Sequence, residues 1–179
     1  MGGNTMWQDS KQRYGTFSKL LHWGMAILFL QQFFKFAGRI NDNQHWLGNT
    51  FGPWHGSVGS LLLLLVIVRL VWAFSQRRQR PSTAGSLGLL AKLGHGVLYA
   101  CMLAMPLTGI AFMLGNGYGL TTFGMQWVAK SPGTIPWLVA LGNLHSPLAW
   151  LFVLLVLGHI AAALGHHWLL KDNTLKRML

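Results

Sequence analysis

Acidic side chains are almost missing from this chain. Asp and Glu together number three among 179 residues, and charged residues of both signs reach only 9%. An average soluble domain carries about 25%. A soluble protein of this size needs a charged exterior, and so few ionisable groups cannot supply one. Cysteine is scarce too. Cys101 stands alone, which excludes an intrachain disulfide framework and any Cys-x-x-Cys metal site. No internal repeat or low-complexity segment is present.

What fills the chain instead is apolar. Hydrophobic residues make up 52%, and the mean hydropathy is +0.39. The length fits a single domain, residues 1–179. Lipid in place of water around most of the molecule reconciles these values. Fourteen Lys plus Arg give a net charge of +11. They lie between long apolar runs, not along a stripe or arm, so membrane orientation accounts for them and nucleic acid is not an expected partner.

Four apolar runs approach the roughly 20 residues that span a bilayer. They cover about Leu20 to Ala37, His55 to Phe74, Leu93 to Leu114, and Leu138 to Leu169. The first follows basic residues as a signal peptide would. Its length is that of a full span and no Ala-x-Ala-like site follows it, so it is read as a retained helix. Met6 breaks the myristoylation pattern that Met1-Gly2 would open. Pro106 and Gly109 mark an expected kink in the third run. The expected fold is all-α, a transmembrane four-helix bundle.

Eleven of the fourteen basic residues fall on one side: Lys11, Arg13 and Lys19; Arg69, Arg77, Arg78, Arg80 and Lys92; and Lys171, Lys176 and Arg177. Only Lys35, Arg39 and Lys130 fall on the other. The positive-inside rule therefore puts both termini in the cytoplasm. Trp46, Trp54, Trp127 and Trp137, in the two outer connections, suit an interfacial belt.

Eight histidines in so apolar a chain call for a reason, because imidazole in a bilayer is costly and needs a partner. His22 lies near the inner end of the first run, His55 at the outer end of the second, and His145 and His159 near the outer and inner ends of the fourth. Fourteen residues separate His145 from His159. At 100° each that is about 1400°, so the two share a face within roughly 40°, about 21 Å apart along the axis. Depth then pairs His55 with His145 and His22 with His159. Zinc favours three or four donors at one level. Paired imidazoles in an apolar bundle favour haem, at two levels. With no Cys-x-x-Cys-His in the chain, both haems would be held non-covalently. Gly56, Gly59, Gly142 and Gly158 beside the proposed ligands would let a flat ring approach the backbone.

Other residues carry two readings each. Arg69 shares the face of His55 and reaches the inner level, to pair with a propionate or to snorkel. His166, two turns beyond His159, bonds a propionate, relays a proton, or is simply exposed at the interface. His95, opening the third helix, touches a propionate or merely packs. His167 is expected at the surface, His45 in solvent and Cys101 in core packing. Gln31, Gln32 and Lys35 face a polar cavity near the outer haem or lie at the interface.

Leu21-His22-Trp23, His55-Gly56-Ser57-Val58-Gly59, Val68-Arg69-Leu70, Leu93-Gly94-His95 and Gly158-His159 through His166-His167, with the tail Lys171-Asp172-Asn173-Thr174-Leu175-Lys176-Arg177-Met178, resemble the bacterial cytochrome b561 family over nearly the whole chain. The resemblance implies a di-haem electron carrier of the bacterial inner membrane, ligated by His22, His55, His145 and His159, that exchanges electrons with ubiquinone. One member of that family passes electrons from superoxide to ubiquinone. Two other readings stay open: a cytochrome b subunit anchoring a dehydrogenase or hydrogenase through a partner subunit, and a haem-free bundle.

Overall fold

Inside a bilayer each backbone N–H and C=O must find its partner within the chain, so long apolar segments resolve as helices. The computed structural model describes residues 6–37, 45–81 and 86–179. Helix α1 runs Thr16–Ala37 and α2 Trp46–Phe51, and a 3-10 turn at Gly52–Trp54 leads directly into α3, His55–Ser75. Helix α4 spans Ser86–Gly115, followed by β1 (Leu120–Thr122), β2 (Met125–Val128), α5 (Pro136–Gly142) and α6 (His145–Trp168). Arg39, expected on the outer side, lies outside the described residues.

Among the described residues three stretches are long and apolar enough to cross a membrane: Trp46–Ser75, Gly88–Gly115 and Pro136–Trp168. Helix α1 has 22 residues, enough length for a span, but Lys19, His22, Gln31, Gln32 and Lys35 lower its hydropathy. The four expected spans thus resolve into three apolar helices and one long helix of mixed polarity. Leu154 and Val71 are each 66% exposed. Water would penalise such faces, and lipid does not.

Two boundaries depart from the sequence reading. The third helix begins at Ser86, not near Leu93, so His95 lies well inside it. It continues through Pro106, as the third run does. The expected fourth helix is divided at Asn143–Leu144 into α5 and α6. Pro147 falls in the first turn of α6, where its missing N–H leaves no helical bond unmade.

The chain is mostly helical and not all-α as expected. Strands β1 and β2 form an antiparallel hairpin. Phe123 and Gly124 at its tip both take positive φ, 50° and 81°, the backbone that matches the twist of a two-residue hairpin turn. The hairpin docks on α3 through the Phe123 N–H, which donates to Ser57 Oγ at 2.9 Å.

Met25 on α1 and Leu62 and Val66 on α3 form the buried core, with Met102 and Leu103 of α4 against it. Helix α6 joins through Phe152, whose ring sits 5.1 Å from Phe29 and 5.8 Å from Phe33 of α1. Helices α4 and α5 approach so closely that a Cβ on Gly142 would stand 2.5 Å from Phe112 Cα. Gly142 therefore serves helix contact and does not line a cofactor slot as expected.

The terminal segments meet beside the start of α1. Asp9 is fully buried. It accepts from the Gly15 N–H at 2.9 Å and from Ser18 Oγ at 2.7 Å, and pairs with Arg80 Nε at 3.0 Å. Lys19 Nζ and Trp23 Nε1 donate to the carbonyls of Leu179 and Met178 at 2.7 and 3.0 Å.

Candidate functional site

The four histidines expected in pairs are brought into pairs. His55, at the first turn of α3, faces His145, at the first turn of α6, with ring centres 5.9 Å apart and planes at 87°. His22 of α1 faces His159 of α6 with ring centres 6.3 Å apart. Two metal–nitrogen bonds of about 2 Å, with roughly 1 Å from each nitrogen to its ring centre, separate two axial imidazoles by about 6 Å. Both pairs fit one metal held between two rings. Among the described residues no three His, Cys, Asp or Glu side chains converge on one metal position.

Ring nitrogens decide what each pair can bind. His145 Nδ1 lies 2.9 Å from the Met105 carbonyl and 3.2 Å from Thr108 Oγ1. A carbonyl only accepts, so Nδ1 carries the hydrogen and Nε2 keeps its lone pair. Gly109 makes this approach feasible, since a Cβ there would stand 3.2 Å from His145 Cε1. Across the pair, His55 Nδ1 is buried with no hydrogen-bond partner among the described residues. A buried bare imidazole opposite an oriented one is the donor set that axial ligation uses. A methyl placed on Gly56, Gly59 or Gly158 would meet no atom within 4 Å.

The His22–His159 pair carries more polar company. Arg69 Nη2 donates to His22 Nδ1 at 3.1 Å, and Arg69 Nε donates to Tyr99 OH at 3.1 Å. His95 lies 5.4 Å, ring to ring, from His159. Arg69 and His95 thus both lie beside the His22–His159 pair. His166 instead reaches the tail, its Nδ1 2.6 Å from Asp172 Oδ2. That contact, aided by the Thr174 N–H, holds the Asp172 carboxyl down to about 2. His45 caps α2, accepting from the Leu47 N–H at 3.3 Å. His167 is half-buried, not at the surface as expected, and its Nδ1 has no partner among the described residues. Cys101 is buried packing. Gln31 donates to the Phe51 carbonyl at 3.2 Å and Gln32 to Gln31 Oε1 at 2.9 Å.

Sequence reasoning missed Tyr99, Thr108 and the Met105 carbonyl. Tyr99 had a legible signal: it follows His95 by one i,i+4 step on the same face of α4. Nothing local marks the Met105 carbonyl, whose role arises only when α6 packs against α4.

Against known proteins, the family model for prokaryotic cytochrome b561 matches residues 13–179. The chain belongs to the prokaryotic cytochrome b561 family. Cytochrome b561 homolog 2 of Escherichia coli (strain K12) is 31% identical over 179 residues, covering 96% of this chain and 93% of that protein. The probable superoxide oxidase CybB of Yersinia pestis is 26% identical over 174 residues, 94% of this chain and 96% of its own. Cytochrome b561 homolog 1 of Escherichia coli (strain K12) is 38% identical over 91 residues, about half of each chain. Membership in the b561 family makes this a bacterial membrane electron-transfer protein and implies bound haem b.

Proposed function

We propose that this b561-family chain is a single four-helix transmembrane domain that binds two haem b groups and carries electrons between an outer-side donor and the quinone pool. One observation supports this most: two histidine pairs, each drawn from two helices, with α6 contributing one ring to both. His55 and His145 would hold the outer group, His22 and His159 the inner. Bound haem supplies a one-electron couple at each level. With two imidazoles on each group there would be no metal position left for substrate, so the residues would orient and insulate the groups without activating a ligand.

The charge asymmetry supports cytoplasmic termini in a bacterial inner membrane, with lipid around the apolar faces. The superoxide oxidase relative makes superoxide the donor we favour. Each superoxide would give one electron and leave as dioxygen, and ubiquinone would take two electrons and two protons to become ubiquinol. Arg69 beside the inner pair offers a cation for a propionate. The His166–Asp172 pair at the same end offers a proton-carrying group for quinone reduction.

Reduced-minus-oxidised spectra of the purified full chain, with haem counted per chain, test the reading. Two b-type haems are expected, and absence of b-type bands overturns it.

A further inference from the structure

The end of the bundle where α1 begins gathers cations from three separate segments around one carboxylate. Asp9 is fully buried and pairs with Arg80 Nε at 3.0 Å. Its own N–H donates to Gln76 Oε1 at 3.3 Å. These bonds fix the segment before α1 against the turn that follows α3. Tyr14 adds the tail: its N–H donates to the Arg177 carbonyl at 3.2 Å, and the Arg80 guanidinium lies 5.8 Å from its ring centre. Lys11, Arg13, Arg77, Arg78 and Lys176 stand exposed on the three joined segments.

Among the described residues no free carboxylate balances them. Of the three acids in the chain, Asp9 is engaged by Arg80 and Asp172 by His166. The third, Asp42, falls in sequence between α1 and α2. An uncompensated cluster of this kind at the end of membrane helices attracts anionic headgroups.

An apolar groove of about 350 Å³ opens along α1, lined by Leu20, Leu21, Gly24, Ile27 and Leu28, with Leu65 of α3. Gly24 keeps it open, since a methyl there would meet no atom within 4 Å. Its mouth adjoins the cluster. The Thr16 N–H and Oγ1 both donate to the Met6 carbonyl, at 2.9 and 3.0 Å, and Leu20 lies one turn further along the face of Thr16. Met6, Trp7 and Leu20 are exposed there. From Leu20 to Leu28 is about 12 Å along the axis, against about 15 Å for half a hydrocarbon core. The groove is one leaflet deep. That is too short for a spanning helix of a second copy, and it suits an acyl chain.

We propose that an anionic phospholipid occupies this place, one acyl chain in the α1 groove and its phosphate among Lys11, Arg13, Arg77 and Arg78. Arginine forks match phosphate oxygens. Arg77 is already at the boundary, its guanidinium 4.2 Å from the centre of the exposed Phe74 ring. Bound lipid would fasten the segment before α1 to the turn after α3. The site stands apart from the haem reading.

The test uses the purified full chain, stripped of lipid in detergent. Phosphatidylglycerol, phosphatidylcholine with the same chains, or inorganic phosphate is added. Native mass spectrometry counts retained lipid, and thermal unfolding reads stabilisation. Phosphatidylglycerol is expected to bind at one per chain and raise the midpoint, and the other two are not. Arg77→Gln with Arg78→Gln should weaken binding about 25-fold, about fivefold per cation removed, and Arg77→Lys with Arg78→Lys should keep most of it. Gly24→Leu should fill the groove and abolish retention, and Ile27→Trp should do the same should the first variant misfold. Haem-independent unfolding without lipid reports that each variant is folded. Equal retention of phosphatidylcholine overturns the proposal. So does inorganic phosphate that stabilises as well as the lipid, or phosphatidylglycerol retention unchanged in both folded groove variants. A dimer in the native spectrum that Gly24→Leu dissociates would give the groove to a second copy and also overturn it.

Discussion

Arg69 of α3 reaches across to α1 and donates to His22 Nδ1 at 3.1 Å, while its Nε is held by Tyr99 of α4. One guanidinium thereby ties three helices together at the inner histidine pair. Its charge stabilises whichever state of the site is more negative, which for a one-electron couple is the reduced state. Arg69→Ala should therefore lower the inner reduction potential by on the order of tens of millivolts and leave the outer potential unchanged. Arg69→Lys should fall between them. Redox titration of the two haem signals checks this.

On the proposed two-haem function His145, paired with His55 alone, would hold one group only, so His145→Ala should remove one haem per chain and spare the signal of the other. A count that stays at two would reject the outer assignment.

Asp9 is buried and paired with Arg80, which is one-quarter exposed. Asp9→Ala leaves the Gly15 N–H and the Ser18 hydroxyl without their acceptor and strands a partly buried cation. Breaking a buried pair costs about 3–5 kcal/mol, and the exposure of Arg80 brings the expected loss toward about 2 kcal/mol. Thermal unfolding in detergent should show a clear drop in midpoint, with haem spectra of the folded protein unchanged.

Asp172 is held down to about 2, first by its bond to His166 and then by Thr174. A depressed carboxyl stabilises its folded contact above its ordinary value near 4 and loses that contribution as pH falls through about 2. The tail should therefore stay docked at neutral pH and loosen between about pH 4 and pH 2. Asp172→Asn should abolish the transition, and protease cleavage of the tail across that range reads it directly.

Gly142 lies against Phe112 at a distance that no Cβ tolerates. Gly142→Ala should push α5 off α4 and destabilise the protein by about 1–3 kcal/mol, the usual cost of overpacking. An unchanged midpoint would show that the two helices part without cost.

Membrane character, helix-rich structure and the four histidines of the two pairs were all legible in the chain. Apolar runs report the solvent that surrounds them, and a 14-residue spacing places two rings on one helical face whatever the neighbours do. The family motifs said the same. Other features needed the third dimension. Gly142 and Gly59 look alike as letters, yet one is pressed against Phe112 and the other faces open space. The hairpin between α4 and α5 rests on positive φ at Phe123, a residue that carries no turn signal of its own.

The sequence by itself determined where the long helices form and which imidazoles share a depth, because hydropathy and helical pitch act along the chain. Only the tertiary structure decided what meets Nδ1 of His145 and of His22, a carbonyl at Met105 in one case and the Arg69 guanidinium in the other. For His145 and His22 the deciding group comes from another helix, so packing sets it.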